Sequence, residues 1–226
     1  MTGSLLEVIA LDVRDAVAAE QGGADRLEVV ADMAADGLSP SPETVAAIAA
    51  ECPLPQMVML RCDAGFTADA AVLDRLRGDA TALAQAGAAG FVFGFLDQAG
   101  TVDLAATEAL IHAVSPLPWT FHRAVDHAAD VLASWRAVRL LPNLATVLTS
   151  GSPYGVAEGL TVLKGRADAG DGSIILAGGG LRPHHVPDLL DYGIRAFHVG
   201  SPVRPDRSEP VDARLVRRWR ALVERD

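Results

Sequence analysis

The chain has 226 residues, half of them hydrophobic, enough to bury one large core without requiring a second domain. Its formal charge of -10 at pH 7 excludes a nucleic-acid binder, because that recognition rests on Lys and Arg neutralising phosphates. Two cysteines, Cys52 and Cys62, are too few for a disulfide scaffold. The most apolar window, Ala82 to Leu96, contains Gln85 and is broken by Gly87, Gly90 and Gly94, so no membrane partner is expected. Met1-Thr2-Gly3-Ser4 carries no basic leader, and the expected location is cytoplasmic.

In chain order, short apolar runs alternate with longer amphipathic stretches at about 28 residues per unit, the spacing that eight βα units need. The predicted strands are Leu5–Leu11, Arg26–Ala31, Gln56–Arg61, Gly90–Leu96, Pro118–Val125, Thr146–Ser150, Ser173–Ala177 and Arg195–Val199. Glycines at 23, 87 and 193 each separate a helical pattern from a strand, the position where left-handed backbone is cheapest without a Cβ. Ser41-Pro42-Glu43-Thr44 and Asp103 read as helix N-caps. The segment from Pro202 to Pro210 reads as an exposed loop before a last helix, Val211–Arg225. The predicted fold class is α/β, a single-domain TIM (β/α)8 barrel over residues 1–226. A doubly wound sheet would need a glycine fingerprint after the first strand, where Ala10-Leu11-Asp12-Val13 stands instead.

Ionisable residues inside parallel strands are costly unless paired or placed at the rim. Glu7 lies in strand one, Glu28 in strand two and His198 in strand eight; Arg61 ends strand three, and His122 and Arg123 end strand five with Asp126 just beyond. Strand ends converge on one mouth in a closed barrel, so these seven form the candidate catalytic group. His122 is the first acid/base candidate, because imidazole titrates near neutrality and Glu28 or Asp126 could tune it. Structural ion pairs, Glu28 with Arg61 or Glu7 with Arg123, are the competing reading. His112, His127, His184 and His185 read as bystanders.

Backbone supplies a second signal. Ser150-Gly151 follows strand six, Gly178-Gly179-Gly180 follows strand seven and Gly200-Ser201 follows strand eight. Glycines there let main-chain N–H groups face an anion, and the partner expected is a small phosphorylated or carboxylated ligand. The competing reading makes them tight turns. Lys164, the only lysine, falls in a helical pattern, so Schiff-base chemistry is not expected.

With these residues assembled, the chain resembles the copper homeostasis protein CutC family over nearly its whole length. The resemblance rests on Leu6-Glu7-Val8, Gly22-Gly23-Ala24-Asp25-Arg26-Leu27-Glu28, Gly37-Leu38-Ser39-Pro40-Ser41 and Thr120-Phe121-His122-Arg123-Ala124 with Asp126. It continues through Val147-Leu148-Thr149-Ser150-Gly151, Ala177-Gly178-Gly179-Gly180 with Arg182-Pro183, and Phe197-His198. It implies a TIM barrel, a cytosolic location, a homo-oligomer and a role in copper handling through Cu(I) binding. Two positions depart from the family pattern. Val29-Val30 stands where a cysteine usually follows the strand-two glutamate, and Arg61-Cys62-Asp63-Ala64-Gly65-Phe66 replaces the usual Arg-Pro-Arg-Gly-Gly-Asp-Phe, without its second arginine.

Cu(I) prefers thiolate and thioether donors. Cys52 and Cys62 flank strand three, on the order of 20 Å apart at about 3.3 Å per residue, so they do not chelate one ion within a subunit. Cys62 remains a copper ligand only between subunits. Met57 and Met59 read as core filler. Three functions therefore compete: proton transfer on a small anionic metabolite by a lyase or isomerase, Cu(I) handling without catalysis, and a divalent ion held by Glu7, Glu28, His122 and His198.

Overall fold

The computed structural model describes residues 3–224. Eight parallel strands close into one barrel in sequence order: β1 (Leu5–Ala10), β2 (Arg26–Val29), β3 (Gln56–Met59), β4 (Gly90–Phe93), β5 (Trp119–Phe121), β6 (Leu144–Thr149), β7 (Ile175–Ala177) and β8 (Ala196–Val199). The helices outside are α1 (Val13–Gly22), α2 (Pro42–Glu51), α3 (Ala70–Ala86), α4 (Leu104–Val114), α5 (Val131–Val138), α6 (Val156–Arg166), α7 (Val186–Asp191) and α8 (Ala213–Val223). This is the expected TIM barrel. No helix among the described residues is long and apolar enough to cross a membrane.

Local chemistry starts and stops these elements. Asp12, Ser41, Asp69, Asp103, Asp130 and Asp212 cap six helices by accepting from backbone N–H groups, and Gly23 and Gly87 end α1 and α3 in left-handed geometry. The period-2 alternation of each strand then separates two cores. Leu6, Val8, Leu27, Val58, Phe91, Trp119, Phe121 and Phe197 point outward into the layer beneath the helices, where Trp119 stacks on Phe93 at 4.5 Å between ring centroids. The barrel interior holds a smaller apolar cluster of Val30, Met57, Met59 and Val92, so both methionines are core residues. Ile9 packs against that cluster, and polar side chains of Glu7, Arg26, Glu28, Thr120, Thr146 and His198 share the interior with it.

Several boundaries move. β5 stops at Phe121, and His122 caps a short 3-10 turn over Arg123–His127 instead of continuing a strand to Val125. The segment after β8 is not wholly exposed: Val203 and Arg204 are buried, and Arg204 Nη2 donates to Asp15 Oδ2 at 2.6 Å. α8 begins at Ala213, and Arg225, the predicted end of the last helix, lies outside the described residues.

Candidate functional site

The pleat of β2 turns Arg26 and Glu28 to one face, and the registers set Glu7 beside both Arg26 and His198. Arg26 Nε donates to Glu7 Oε2 at 2.5 Å and Nη2 to Thr146 Oγ1 at 3.2 Å, while Thr146 and Thr120 share a hydrogen bond at 2.8 Å. His198 Nδ1 sits 2.7 Å from Glu7 Oε1, and its Nε2 lies 3.7 Å from Glu28 Oε2. The chain Arg26–Glu7–His198–Glu28 thus runs along the inner face of the neighbouring strands β2, β1 and β8, beginning and ending on β2. Neither ion pair expected from the sequence forms. Arg26 was not singled out there, although its i, i+2 spacing from Glu28 puts it on the same face.

Burial dominates the electrostatics. Burial alone would raise Glu7, but Arg26 and His198 outweigh it and hold its carboxyl below the usual range. Burial opposes charge on His198, yet Glu28 and Glu7 outweigh it and raise its proton affinity. Glu28 has no cation at hydrogen-bonding distance, and burial pushes it up to about 7. Its Oε1 has no hydrogen-bond partner, and the residue lines the cavity at the barrel mouth. A buried carboxyl with a free oxygen and near-neutral affinity suits proton transfer.

Ligand atoms of Glu7, Glu28 and His198 lie within 4.8 Å of one another. They do not fit a resident divalent ion. Both Glu7 oxygens are engaged, and the Arg26 guanidinium already supplies the cluster's positive charge. Only Glu28 and one imidazole nitrogen would remain, below the three protein ligands of an open catalytic site.

His122, just past the end of β5, lines the same cavity. Its Nδ1 accepts from the Ala124 N–H at 3.3 Å, which leaves the proton on Nε2, and no described residue accepts from that nitrogen. Burial, followed by the nearby Arg61 charge, depresses its proton affinity to about 3. The expectation of an imidazole titrating near neutrality is therefore corrected. His122 is a neutral hydrogen-bond donor. No carboxylate tunes it.

Asp126 accepts from Thr149 Oγ1 at 2.5 Å, Ser150 N at 2.8 Å and Arg123 Nε at 3.3 Å, and it is buried. Those bonds make it a staple between the turn after β5 and the end of β6. Arg61 is spent similarly: Nε donates to Gly65 O, Nη2 to Ala64 O, and Nη1 faces the carbonyls of Ala35, Asp36 and Gly37. It ties two mouth loops together. Arg123 also donates to the Ser152 and Pro153 carbonyls, and its guanidinium lies over the backbone of Gly179.

The mouth cavity encloses about 430 Å³, within the size range of small-molecule sites. Gly179, Gly180, Gly200 and Ser201 line it; Ser150, Gly151 and Gly178 do not. Gly151 serves a tight turn, since a Cβ there would come within 2.5 Å of the Gly159 carbonyl oxygen in α6. Gly178 packs against Leu148 and His198. No hydrogen bond to a described residue engages the Gly179 or Gly180 N–H. Exposed Arg182 and Arg207 at the rim were not among the predicted residues, and Phe66 and His127, whose rings lie 5.2 Å apart, form part of the wall. His127 is thus at the mouth, and His185, expected at the surface, is buried with its Nδ1 accepting from Arg182 N.

Cys62 lies outside this cavity, in a small recess behind Arg61, and burial pushes its thiol up. Among the described residues no cluster of three His, Cys, Asp or Glu ligands includes it. Cys52 is buried against α1, its Sγ 3.6 Å from Ala16 O.

The model of the CutC family matches residues 4–202. A family protein CutC from Xanthomonas campestris pv. campestris is 36% identical over 204 residues, covering 87% of this chain and 82% of that protein. A family protein CutC from Salmonella paratyphi B is 32% identical over 207 residues, with 88% and 81% covered. Among solved structures, a CutC protein from Streptococcus agalactiae named for copper homeostasis superposes with a TM-score of 0.75 at 21% identity, covering 87% of this chain and 98% of that one. Phosphoribosyl anthranilate isomerase from Thermococcus kodakaraensis shares the fold, with a TM-score of 0.66 at 17% identity over 99% and 100% of the two chains.

Proposed function

The chain belongs to the CutC family, whose relatives carry a name tied to copper homeostasis, and from that premise and the geometry of its mouth we propose that it is an enzyme moving a proton on a small anionic metabolite. The observation that carries this reading is Glu28: a carboxyl buried in the barrel and pushed up to about 7, which lines a 430 Å³ cavity and has one buried oxygen without a hydrogen-bond partner among the described residues. Such a group gives and takes a proton at neutral pH with little driving-force penalty. His122, kept neutral, stabilises negative charge that develops on the substrate. Gly179 and Gly180 N–H groups and the Arg182 and Arg207 side chains provide for the anionic end.

Copper handling stands as the competing reading because of the relatives' name. A Cu(I) site asks for soft donors held together. The two thiols are apart, Cys62 faces a different recess from the polar cluster, and the cavity's own sulfurs are the Met33 and Met59 thioethers.

Thermal unfolding with inorganic phosphate, phosphorylated metabolites, divalent ions and Cu(I) separates the two readings, since a native-state ligand at 100 times its Kd adds about 2.7 kcal/mol. The enzyme reading predicts an upward shift with an anion that is lost in Arg182→Ala. A shift with Cu(I) alone, abolished by Cys62→Ser, overturns it in favour of copper handling.

A further inference from the structure

Resting on that reading, we propose that the substrate is a small phosphorylated or carboxylated aldehyde or ketone, that Glu28 removes a proton from the carbon beside its carbonyl, and that His122 Nε2–H donates to the carbonyl oxygen. The inventory of the cavity narrows the chemistry this far. No thiol and no amine of a described residue lines it: Cys62 faces a separate recess, and Lys164 pairs with Asp168 on the outer surface. Covalent catalysis through sulfur or a Schiff base therefore has no nucleophile. Of the titratable groups that remain, Asp36, His127 and His198 besides Glu28 and His122, we take Glu28 as the base because it is buried with an unpartnered oxygen and near-neutral affinity. We take His122 as the neutral donor, because its Nδ1 is tied to the Ala124 N–H so that the ring presents only Nε2–H.

That pairing matches the needs of a carbon acid. When the C–H bond breaks, its proton forms the O–H bond of Glu28, the electron pair enters a new C=C bond, and the carbonyl pair moves onto oxygen. The charge that develops there meets a donor that cannot be titrated away at neutral pH. Returning the proton to the adjacent carbon of a hydroxy-substituted substrate, with the hydroxyl proton shifting between oxygens, gives an isomer; returning it to the same carbon regenerates the substrate. Neither outcome consumes an oxidant or co-substrate.

The cavity wall agrees with this division. Glu28 is paired with Ile9 across β1 and β2, and Ile9, Val30, Met59 and Leu148 give the cavity it lines an apolar side, while its burial keeps its proton affinity high. Arg123, Gly179, Gly180 and Arg182 supply polar groups to the same cavity, where a phosphate or carboxylate remote from the reacting carbon would sit. His198, 3.7 Å from Glu28 and anchored by Glu7, is a positioning residue that adjusts how tightly Glu28 holds the proton.

The test is deuterium wash-in from D2O, followed by proton NMR, with dihydroxyacetone phosphate, glycolaldehyde phosphate and pyruvate as probes. The expected result is exchange above the buffer rate with at least one probe. It should fall by roughly 100-fold or more in Glu28→Gln and by about 10- to 100-fold in His122→Gln. Glu28→Asp should restore part of the rate, and an unchanged phosphate-induced thermal shift shows that each variant is folded. Exchange that persists in Glu28→Gln overturns the inference. An intact phosphate shift with no exchange on any probe also overturns it while leaving the anion-binding mouth standing, and loss of both removes the two together.

Discussion

His198 and Glu7 meet inside the barrel, Nδ1 to Oε1 at 2.7 Å, although they are separated by nearly the whole length of the chain. Closure of β1 against β8 makes the contact, because the register sets the two residues directly side by side. Arg26 on the other flank of Glu7 completes a charged row in which Glu7 is held below its usual proton affinity and His198 above its own, with Glu28 at the end of the row beside His198.

Glu7→Gln removes the buried anion from the centre of that row and leaves the partly buried Arg26 guanidinium without its carboxylate. Breaking a buried pair in this way costs about 3–5 kcal/mol. Urea unfolding at pH 7 measures it. A loss below about 1 kcal/mol would show that Arg26 finds compensation in Thr146 or water.

Glu28 predicts a stability that falls as pH rises. Its folded proton affinity, about 7, lies above the ordinary 4.5, so between those values the native carboxyl keeps a proton the unfolded chain has lost. The contribution is full below pH 4.5 and disappears as pH passes 7. Glu28→Gln lacks this loss, and should gain on the order of 3 kcal/mol relative to wild type between pH 4.5 and 8.

His122 has the opposite sign. Held at about 3 against an ordinary 6.5, its neutral form contributes stability above pH 6.5 that is lost as pH falls toward 3. His122→Gln should flatten the acid limb of the stability profile by a few kcal/mol, on the order of 1.4 per pH unit across that window. Identical acid limbs in the two proteins would contradict it.

Gly179→Ala tests the mouth. Gly179 has φ +84°, and a Cβ there would lie 2.6 Å from Arg123 Nε. The strained backbone costs about 1–2 kcal/mol, and displacing the guanidinium weakens the phosphate-induced shift as well. Arg61→Ala should behave differently, destabilising the protein by roughly 2–4 kcal/mol as its loop carbonyls lose their donors, with phosphate binding affected less than in Arg182→Ala.

Most of the fold was legible because its signals are local. Ser41 and Asp103 cap helices, and Gly23 and Gly87 end them, within a few residues of the apolar runs they punctuate. Glu7, Glu28, His122 and His198 stood out because strand patterns rarely tolerate charge. What each does was not legible. Arg61 spends its donors on carbonyls of Ala35, Gly37 and Ala64, which have no signature in side-chain pattern. Asp126 looked like a partner of His122 because they are neighbours in sequence, yet the 3-10 turn swings it into β6. Arg26 opens its strand and so reads as a boundary, and only closure of the barrel shows what it faces.

The most direct measurement is the titration of Glu28 itself, followed by its carboxyl carbon-13 resonance in glutamate-labelled protein and assigned by its absence in Glu28→Gln. A midpoint near 7 would establish the mouth base on which the proton-transfer reading depends. A midpoint at the ordinary 4.5 would mean that Glu28 is a permanently charged member of the row and would contradict it.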